Sequence, residues 1–384
     1  MSDAKPVVAQ AMGTFLPVTE NWIYHQMRFL RTVRSVVLAK RTANPESFPW
    51  EGVHAIRDQP RARVQYDRFM RNLRGYYPMH RAVCRAEGVG MIHAHFGFNG
   101  LTYRHLAREL HVPLLTSFYG VDMSRDGGGI PGLRRRYRKL FRHGDGFVAE
   151  GPAAAEQLER IGCPSEKIFL HRLGIDPDEV PVVERRRDPD GPLRVLMAAR
   201  FSEKKGLTYG VEAFCRVARS DPRLELTVVG DAGPVEAERQ IKGKLHDLVA
   251  RYEMEGRVRF PGFLSKEALN SVAREHHLFL HPSVQAANGD AEGGHPVVLT
   301  EMAASGMPMI ATWHCDIPEI VVHGETGWLC EERSVEDVAC ALGTALEQPD
   351  LLTTYGASAR RLVEDRYDAR RSTLDEVYAR FLDH

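Results

Sequence analysis

No Cys-x-x-Cys pair occurs among the six cysteines, Cys84, Cys163, Cys215, Cys315, Cys330 and Cys340. Their wide spacing in a chain of 384 residues excludes a dense disulfide framework and argues against a structural zinc site, so a reducing compartment is the expected setting. Charge of one sign is not in excess either. Lys plus Arg and Asp plus Glu each total 51, which removes any global attraction to nucleic acid and makes any basic surface a local one. No run of about twenty apolar residues is present, and Asp3, Lys5, Glu20 and Arg28 interrupt the short apolar runs near the start. Neither a spanning helix nor a signal peptide is expected, which suits a cytoplasmic protein that is at most peripheral on the inner face of the cell membrane. Repeats and low-complexity tracts are absent. Missing too are a Gly-x-Gly-x-x-Gly after an opening strand, which weakens an NAD-dependent dehydrogenase reading, and a G-x-x-x-x-G-K-[ST] nucleotide loop. Gly127, Gly128 and Gly129 are therefore read as a loop beside an acceptor, not as a phosphate cradle.

What is present is material for two hydrophobic cores, with 43% apolar and 27% charged residues. Short runs rich in branched apolar residues alternate with segments of helical period, the pattern of βαβ units around a parallel sheet. Strands are expected at 34–38, 91–95, 114–117 and 146–149, then at 193–199, 224–229, 258–261, 278–281 and 309–312. Between the two sets, 184–192 is charged and carries Pro189, Gly191 and Pro192, so it reads as a linker. Two α/β domains are expected, about 1–185 and 190–365. In the tail at 366–384, Leu374, Val377, Tyr378, Phe381 and Leu382 form one apolar helical stripe that needs a surface to cover.

Two stretches of the second half carry chemistry. The strand at 193–199 runs into a loop presenting Arg200 and Lys205, and Gly206 lets the chain turn into a helix. Two cations at a strand's carboxyl end suit a diphosphate. Further on, Gly293, Gly294, His295 and Pro296 precede the helical run Val297, Val298, Leu299, whose first amides are free to meet an anion. Glu301 falls about one turn inside that helix, where a carboxylate can accept from ribose hydroxyls, and Glu292 on the preceding loop can reach the sugar end of the same ligand.

In this combination and order the chain resembles a GT-B-fold, family-4 retaining glycosyltransferase of the bacterial exopolysaccharide, colanic-acid-like kind. Arg200 with Lys205 and Gly206 matches that family's diphosphate-binding cations, and Glu292 with Glu301 its paired glutamates. The turn at 228–234, including Gly230, resembles its Val-Gly turn, and the segment 259–264, including Gly262 and Phe263, its base-side loop. In the first half, 15–23 with Thr19 and Glu20, 92–97 with His95 and Gly97, and 117–122 with Tyr119 and Asp122 resemble its acceptor-side loops. The resemblance implies two Rossmann-like, doubly wound parallel-sheet domains facing across a cleft, with the terminal helix crossing back onto the first. It also implies Arg200, Lys205, Glu292 and Tyr119 as catalytic residues, and Gly230, Gly262, Phe263, Gly293, Gly294, His295, Val297, Val298, Leu299 and Glu301 as donor contacts. Transfer of a hexose from a nucleotide diphosphate sugar, UDP favoured over GDP-mannose, to a glycan, glycolipid or small acceptor would need no cofactor and no metal. Three departures stand out. Eight residues separate Glu292 from Glu301 where seven are usual, the Val-Gly turn is one residue longer, and Tyr119 occupies a position often held by His.

Other features read as decoys. His93 and His95 share a strand face but have no third ligand at metal spacing, and the Asp-x-Asp pairs Asp176, Asp178 and Asp188, Asp190 fall in a hinge and the linker. The basic run from Arg134 to Arg142 carries Leu133, Tyr137, Leu140 and Phe141 on one stripe, so it either packs inward with a solvated cationic face or lies on anionic lipid. Alternative activities are a sugar-nucleotide epimerase or phosphorylase-like GT-B enzyme, and a non-catalytic nucleotide-sugar-binding scaffold.

Overall fold

The computed structural model describes residues 5–17, 20–123, 132–371 and 373–382. The chain forms two compact units, one containing 1–175 with 369–384, the other 176–368. The first unit is built on seven strands: β1 (Val7–Phe15), β2 (Arg34–Thr42), β3 (Val53–Ala55), β4 (Val89–His95), β5 (Leu114–Ser117), β6 (Gly146–Ala149) and β7 (Ile168–Leu170). They lie in the order β3-β2-β1-β4-β5-β6-β7, every pairing parallel. The second unit has β8 (Leu193–Ala198), β9 (Leu224–Val229), β10 (Val258–Gly262), β11 (Leu278–His281), β12 (Met309–Thr312) and β13 (Gly327–Cys330), in the parallel order β10-β9-β8-β11-β12-β13. Strand order reverses beside β1 in one sheet and beside β8 in the other. Loops diverge there and leave a crevice at the carboxyl edge.

Both sheets are apolar on both faces, as parallel strands covered by helices must be. In the second unit Val195, Met197, Leu226, Val228, Leu280 and Ile310 are buried in one core with the helices Leu207–Ala218 and Val335–Glu347. In the first, Val7, Ala9 and Ala11 of β1 join one core, while Val8 between them faces another with Met91, Leu115 and Val148. Leu374, Val377 and Tyr378 of the terminal helix Leu374–Leu382 complete that second cluster. The apolar stripe read in the tail thus covers the first unit's sheet.

The charged stretch 184–192 does not behave as a free linker. It belongs to the second unit, and Arg185 is only 2% exposed. Arg185 donates to the carbonyls of Ala273 (2.7 Å), His276 (2.7 Å) and Ser305 (3.2 Å) and to the Ser305 hydroxyl (2.8 Å). Arg187 donates to the Leu346 carbonyl at 3.0 Å. These acceptors sit at or just beyond helix C-termini, where carbonyls lack helical partners and the helix dipole favours a cation. Composition pointed outward; carbonyl pairing draws these two arginines in.

Candidate functional site

In the second unit the loops leaving β8, β9 and β11 are held in direct backbone contact. Gly206 has φ +61°, and a Cβ there would lie 1.8 Å from the Pro282 carbonyl oxygen. Gly230 has φ +122°, and a Cβ would lie 1.9 Å from the Ala199 carbonyl oxygen. Only glycine permits this approach. Backbone hydrogen bonds from the Phe201 amide to the Asp231 carbonyl (3.1 Å) and from the Val284 amide to the Lys204 carbonyl (2.8 Å) join the same loops.

That packing brings Lys205 and Glu292 together. Lys205 Nζ lies 2.9 Å from Glu292 Oε2, with the side chains 17% and 6% exposed. The Ser283 hydroxyl donates to Glu292 Oε1 at 2.7 Å. The Glu292 amide donates to His314 Nε2 at 3.2 Å, and His314 Nδ1 sits 2.6 Å from Glu332 Oε1, which fixes the imidazole. His281 Nε2 is 3.8 Å from Glu292 Oε1, and burial lowers the His281 pKa, so the imidazole faces the carboxylate uncharged at neutral pH. Burial alone would push the Glu292 carboxyl up, but the adjacent cations outweigh it and hold Glu292 well below the usual carboxylate range. Lys204 completes the cluster with bonds to the Ala291 carbonyl (3.0 Å) and Asp290 Oδ1 (3.3 Å). Ser283, His314 and Lys204 escaped the sequence reading. A His next to a Cys carries no spacing signal for a backbone acceptor role.

The other donor-side residues lie on neighbouring loops and at the start of the helix Val297–Ala304. Arg200, 62% exposed, stands 3.7 Å from Glu238 Oε1, while Glu238 Oε2 accepts the Gly233 amide at 2.6 Å, so the guanidinium is placed at the turn after β9. Gly262 closes β10, receives the Gly230 amide on its carbonyl at 2.9 Å, and precedes Phe263, whose ring is 62% exposed. Gly293 and Gly294 are buried before the helix Val297–Ala304, whose first residues Val297 and Val298 are half-buried and Leu299 fully so. Glu301 lies 3.7 Å from Lys266 Nζ. His295, expected as a donor contact, has its side chain 4% exposed, bonded to Thr300 Oγ1 at 2.9 Å and edge-on to Tyr367.

In the first unit the acceptor-side loops surround a buried polar chain. His95 Nδ1 meets the Tyr119 hydroxyl at 2.8 Å and His95 Nε2 meets Gln10 Oε1 at 3.0 Å. Gln10 Nε2 donates to the Tyr378 hydroxyl at 3.0 Å, and His93 Nδ1 meets the same hydroxyl at 2.7 Å. Burial drives the His95 pKa down to about 3 and raises that of Tyr119, so at neutral pH both are uncharged. Tyr119 is 4% exposed, and its hydroxyl, bonded to His95, serves this chain. Asp122, at 1% exposure, accepts from the amides of Gly97 (3.1 Å) and Tyr119 (3.2 Å) and from the Tyr137 hydroxyl (2.5 Å), so it holds the loop. Glu20 is half-buried, its pKa pushed up by burial to about 7. Thr19 and the three glycines at 127–129 lie outside the described residues.

His93 and His95 do share a face, with ring centroids 4.5 Å apart, but each is bonded to neutral side chains. Among the described residues no group of three His, Cys, Asp or Glu could hold a metal ion, and no helix is long and apolar enough to cross a membrane. Asp176 and Asp188 each accept the amide two residues on, so both Asp-x-Asp pairs are local turns. In the helix Leu133–His143 the stripe Leu133, Tyr137, Leu140 and Phe141 is buried and the basic residues face outward.

Two parallel sheets of seven and six strands with this connectivity are those of GT-B glycosyltransferases. A crystal structure of Anabaena HepE in complex with UDP and glucose superposes with a TM-score of 0.75 over 99% of both chains at 19% identity. The lipopolysaccharide outer core galactosyltransferase WaaB, in its apo form, gives 0.73 over 97% of this chain and 99% of that one at 14% identity. Residues 183–362 match the family described as Glycosyl transferases group 1, and 20–179 match Glycosyltransferase Family 4. WcaL of Escherichia coli K12, named for colanic acid biosynthesis, is 33% identical over 296 residues, which are 75% of this chain and 69% of WcaL. The amylovoran biosynthesis glycosyltransferase AmsK of Erwinia amylovora is 35% identical over 253 residues, 65% of this chain and 59% of AmsK. The chain belongs to the family-4 glycosyltransferases.

Proposed function

We propose that the protein transfers a hexose, with retention, from a nucleotide diphosphate sugar to a hydroxyl of a glycan, a lipid-linked glycan or a small acceptor, in the assembly of an exopolysaccharide. The observation that carries this reading is the buried Lys205–Glu292 pair, set where the strand order of the second unit's sheet reverses. Open α/β sheets bind ligands at such a point. Lys205 and Arg200 are the cations that would stabilise charge growing on the departing diphosphate, together with the amides opening the helix Val297–Ala304. With that charge met by the protein, a divalent metal is not required. The phosphate released would take the proton of the incoming hydroxyl on the face it leaves, which retains the anomeric configuration. Glu292, held ionised, is suited to steady positive charge on the sugar ring, and Glu301 to grip ribose. Arg200 is exposed in this structure and would swing from Glu238 to reach the phosphates.

A UDP-sugar is favoured over GDP-mannose, supported by the UDP held by HepE. Membrane contact through the outward basic face of 134–142 would rest on charge alone, since its apolar stripe is committed inward. The test is a screen of nucleotide sugars for acceptor-stimulated nucleotide release, followed by assignment of the product anomer. Turnover with an α-linked donor giving an α-linked product supports the proposal. An inverted product, or no turnover of any donor with a broad acceptor panel, refutes it.

A further inference from the structure

A second concentration of cations lies in the first unit, and none of the residues expected to meet an acceptor belongs to it. A cavity of about 280 Å³ is lined by Lys40, Arg57, Arg68 and Arg71, with Asn72 and Tyr77 as polar neighbours. Each cation stands there for a local reason. Val36, Leu38 and Lys40 share one face of β2, and the first two are buried in the core, so Lys40 emerges where that core ends, near the strand's carboxyl end. Arg57 lies in the single helical turn Ile56–Asp58 that follows β3. Arg68, Arg71 and Asn72 share one flank of the helix Arg61–Arg74, beside its buried Asp67 and Met70. The hollow therefore opens at the carboxyl ends of β2 and β3, the edge at which open α/β sheets take ligands.

These charges are unanswered. Among the described residues no carboxylate lines the cavity, and no side-chain hydrogen bond or ion pair reaches any of the four cations. The nearby acids are turned to other work: Asp58 accepts the Thr42 hydroxyl at 2.8 Å, and Asp67 accepts from Arg63 (2.9 Å) and the Met79 amide (2.8 Å). Arg71 is steadied instead by the Tyr77 ring, 5.6 Å from its centroid. Burial lowers the Lys40 pKa, with Arg71 and then Arg57 adding to the effect, so the cations act on one another across the hollow. A multiply charged oxyanion would relieve that repulsion, and guanidinium forks match phosphoryl oxygens. Pockets for drug-sized ligands measure about 300–1,000 Å³, so this one suits something smaller.

We propose that this cavity binds a small, soluble phosphoryl compound of at least two negative charges, no larger than a sugar phosphate. The site is made wholly of first-unit residues and does not depend on the donor assignment in the second. Calorimetry on the full chain with inorganic pyrophosphate and with glucose 6-phosphate tests it, run in saturating UDP so that the diphosphate site proposed for the second unit is already filled. Pyrophosphate should still bind. Competition by glucose 6-phosphate would assign the site to organic phosphates, and its failure to compete would assign the site to a bare diphosphate. Arg68→Gln with Arg71→Gln should weaken pyrophosphate by about 10²–10⁴-fold, and Lys40→Met alone by about 10- to 100-fold, the worth of hydrogen bonds to a charged group. Arg135→Gln with Arg138→Gln removes the same charge from the exposed face of the helix Leu133–His143 and should leave pyrophosphate affinity unchanged. UDP affinity and a cooperative thermal transition should be retained in every variant. The site is overturned if neither phosphate binds, if pyrophosphate binding survives both Arg68→Gln with Arg71→Gln and Lys40→Met, or if Arg135→Gln with Arg138→Gln weakens it equally.

Discussion

Replacing Lys205 by Ala removes the cation bonded to the buried Glu292 carboxylate, so its effect on folding and on chemistry must be separated. With both side chains shielded and 2.9 Å apart, removing one partner strands the other, and such losses amount to about 3–5 kcal/mol. The pH dependence should reverse as well. In the native protein Glu292 is held below its ordinary range, so its contribution to stability is present above that range and is lost as pH falls. Without Lys205 burial dominates, the carboxyl titrates above its ordinary range, and stability falls as pH rises. Lys205→Ala with Glu292→Gln removes both charges and should recover most of the lost stability in urea titrations. Turnover should not recover, because loss of a donor to transition-state charge costs about 10²–10³ in rate. Nucleotide release per folded molecule, measured with the single and double variants at matched folded fraction, reads this directly. Near-normal turnover in folded Lys205→Ala, or recovery of turnover together with stability in the double variant, would refute the leaving-group role.

Glu301→Ala should weaken UDP binding by about 10- to 100-fold, the worth of hydrogen bonds to a charged acceptor, as measured by calorimetry, and unchanged affinity would remove the ribose contact. Glu20 has its pKa raised from 4.5 to about 7, so the folded state holds its proton more tightly than the unfolded chain does. Its stabilising contribution is full below pH 4.5 and is lost as pH rises through 7, and Glu20→Gln should flatten that part of a Tm-against-pH curve. Gly206→Ala should cost at least about 1–2 kcal/mol from its left-handed backbone, before its collision with the Pro282 carbonyl, and should weaken nucleotide binding. Gly243→Ala, in the helix Glu236–Arg251 with nothing within 4 Å, should stabilise by about 0.5–1 kcal/mol in the same denaturation assay.

The second unit was the more legible half, with five of its six strands expected from sequence against four of seven in the first. Those expected at 224–229, 278–281 and 309–312 coincide with β9, β11 and β12 residue for residue. β1 is harder to see because Gln10 interrupts it, a polar side chain tolerated in the core only because His95 and Tyr378 satisfy its amide. β3 and β7, of three residues each, carry too little pattern to register. Motif order pointed to the loops bearing Lys205 and Glu292. Their pairing depends on backbone contact at Gly206, a tertiary fact, and the buried placements of Tyr119, Asp122 and His295 depend on partners far off in sequence or on neighbouring loops. The arginines of 184–192 were misread for the same reason, since composition counts charges and is blind to waiting carbonyls.

The closing helix has a consequence for biosynthesis. Val8 and Met91 share a cluster with Leu374 and Tyr378, and the Gln10 and His93 side chains end on the Tyr378 hydroxyl. The body begun first on the ribosome is therefore the last to be sealed, while the body made from 176–368 has all its strands in hand earlier. A nonsense codon a few residues before Leu374 would thus injure the amino-terminal half of the protein, leaving a polar chain and an oily sheet face open to chaperones and proteases.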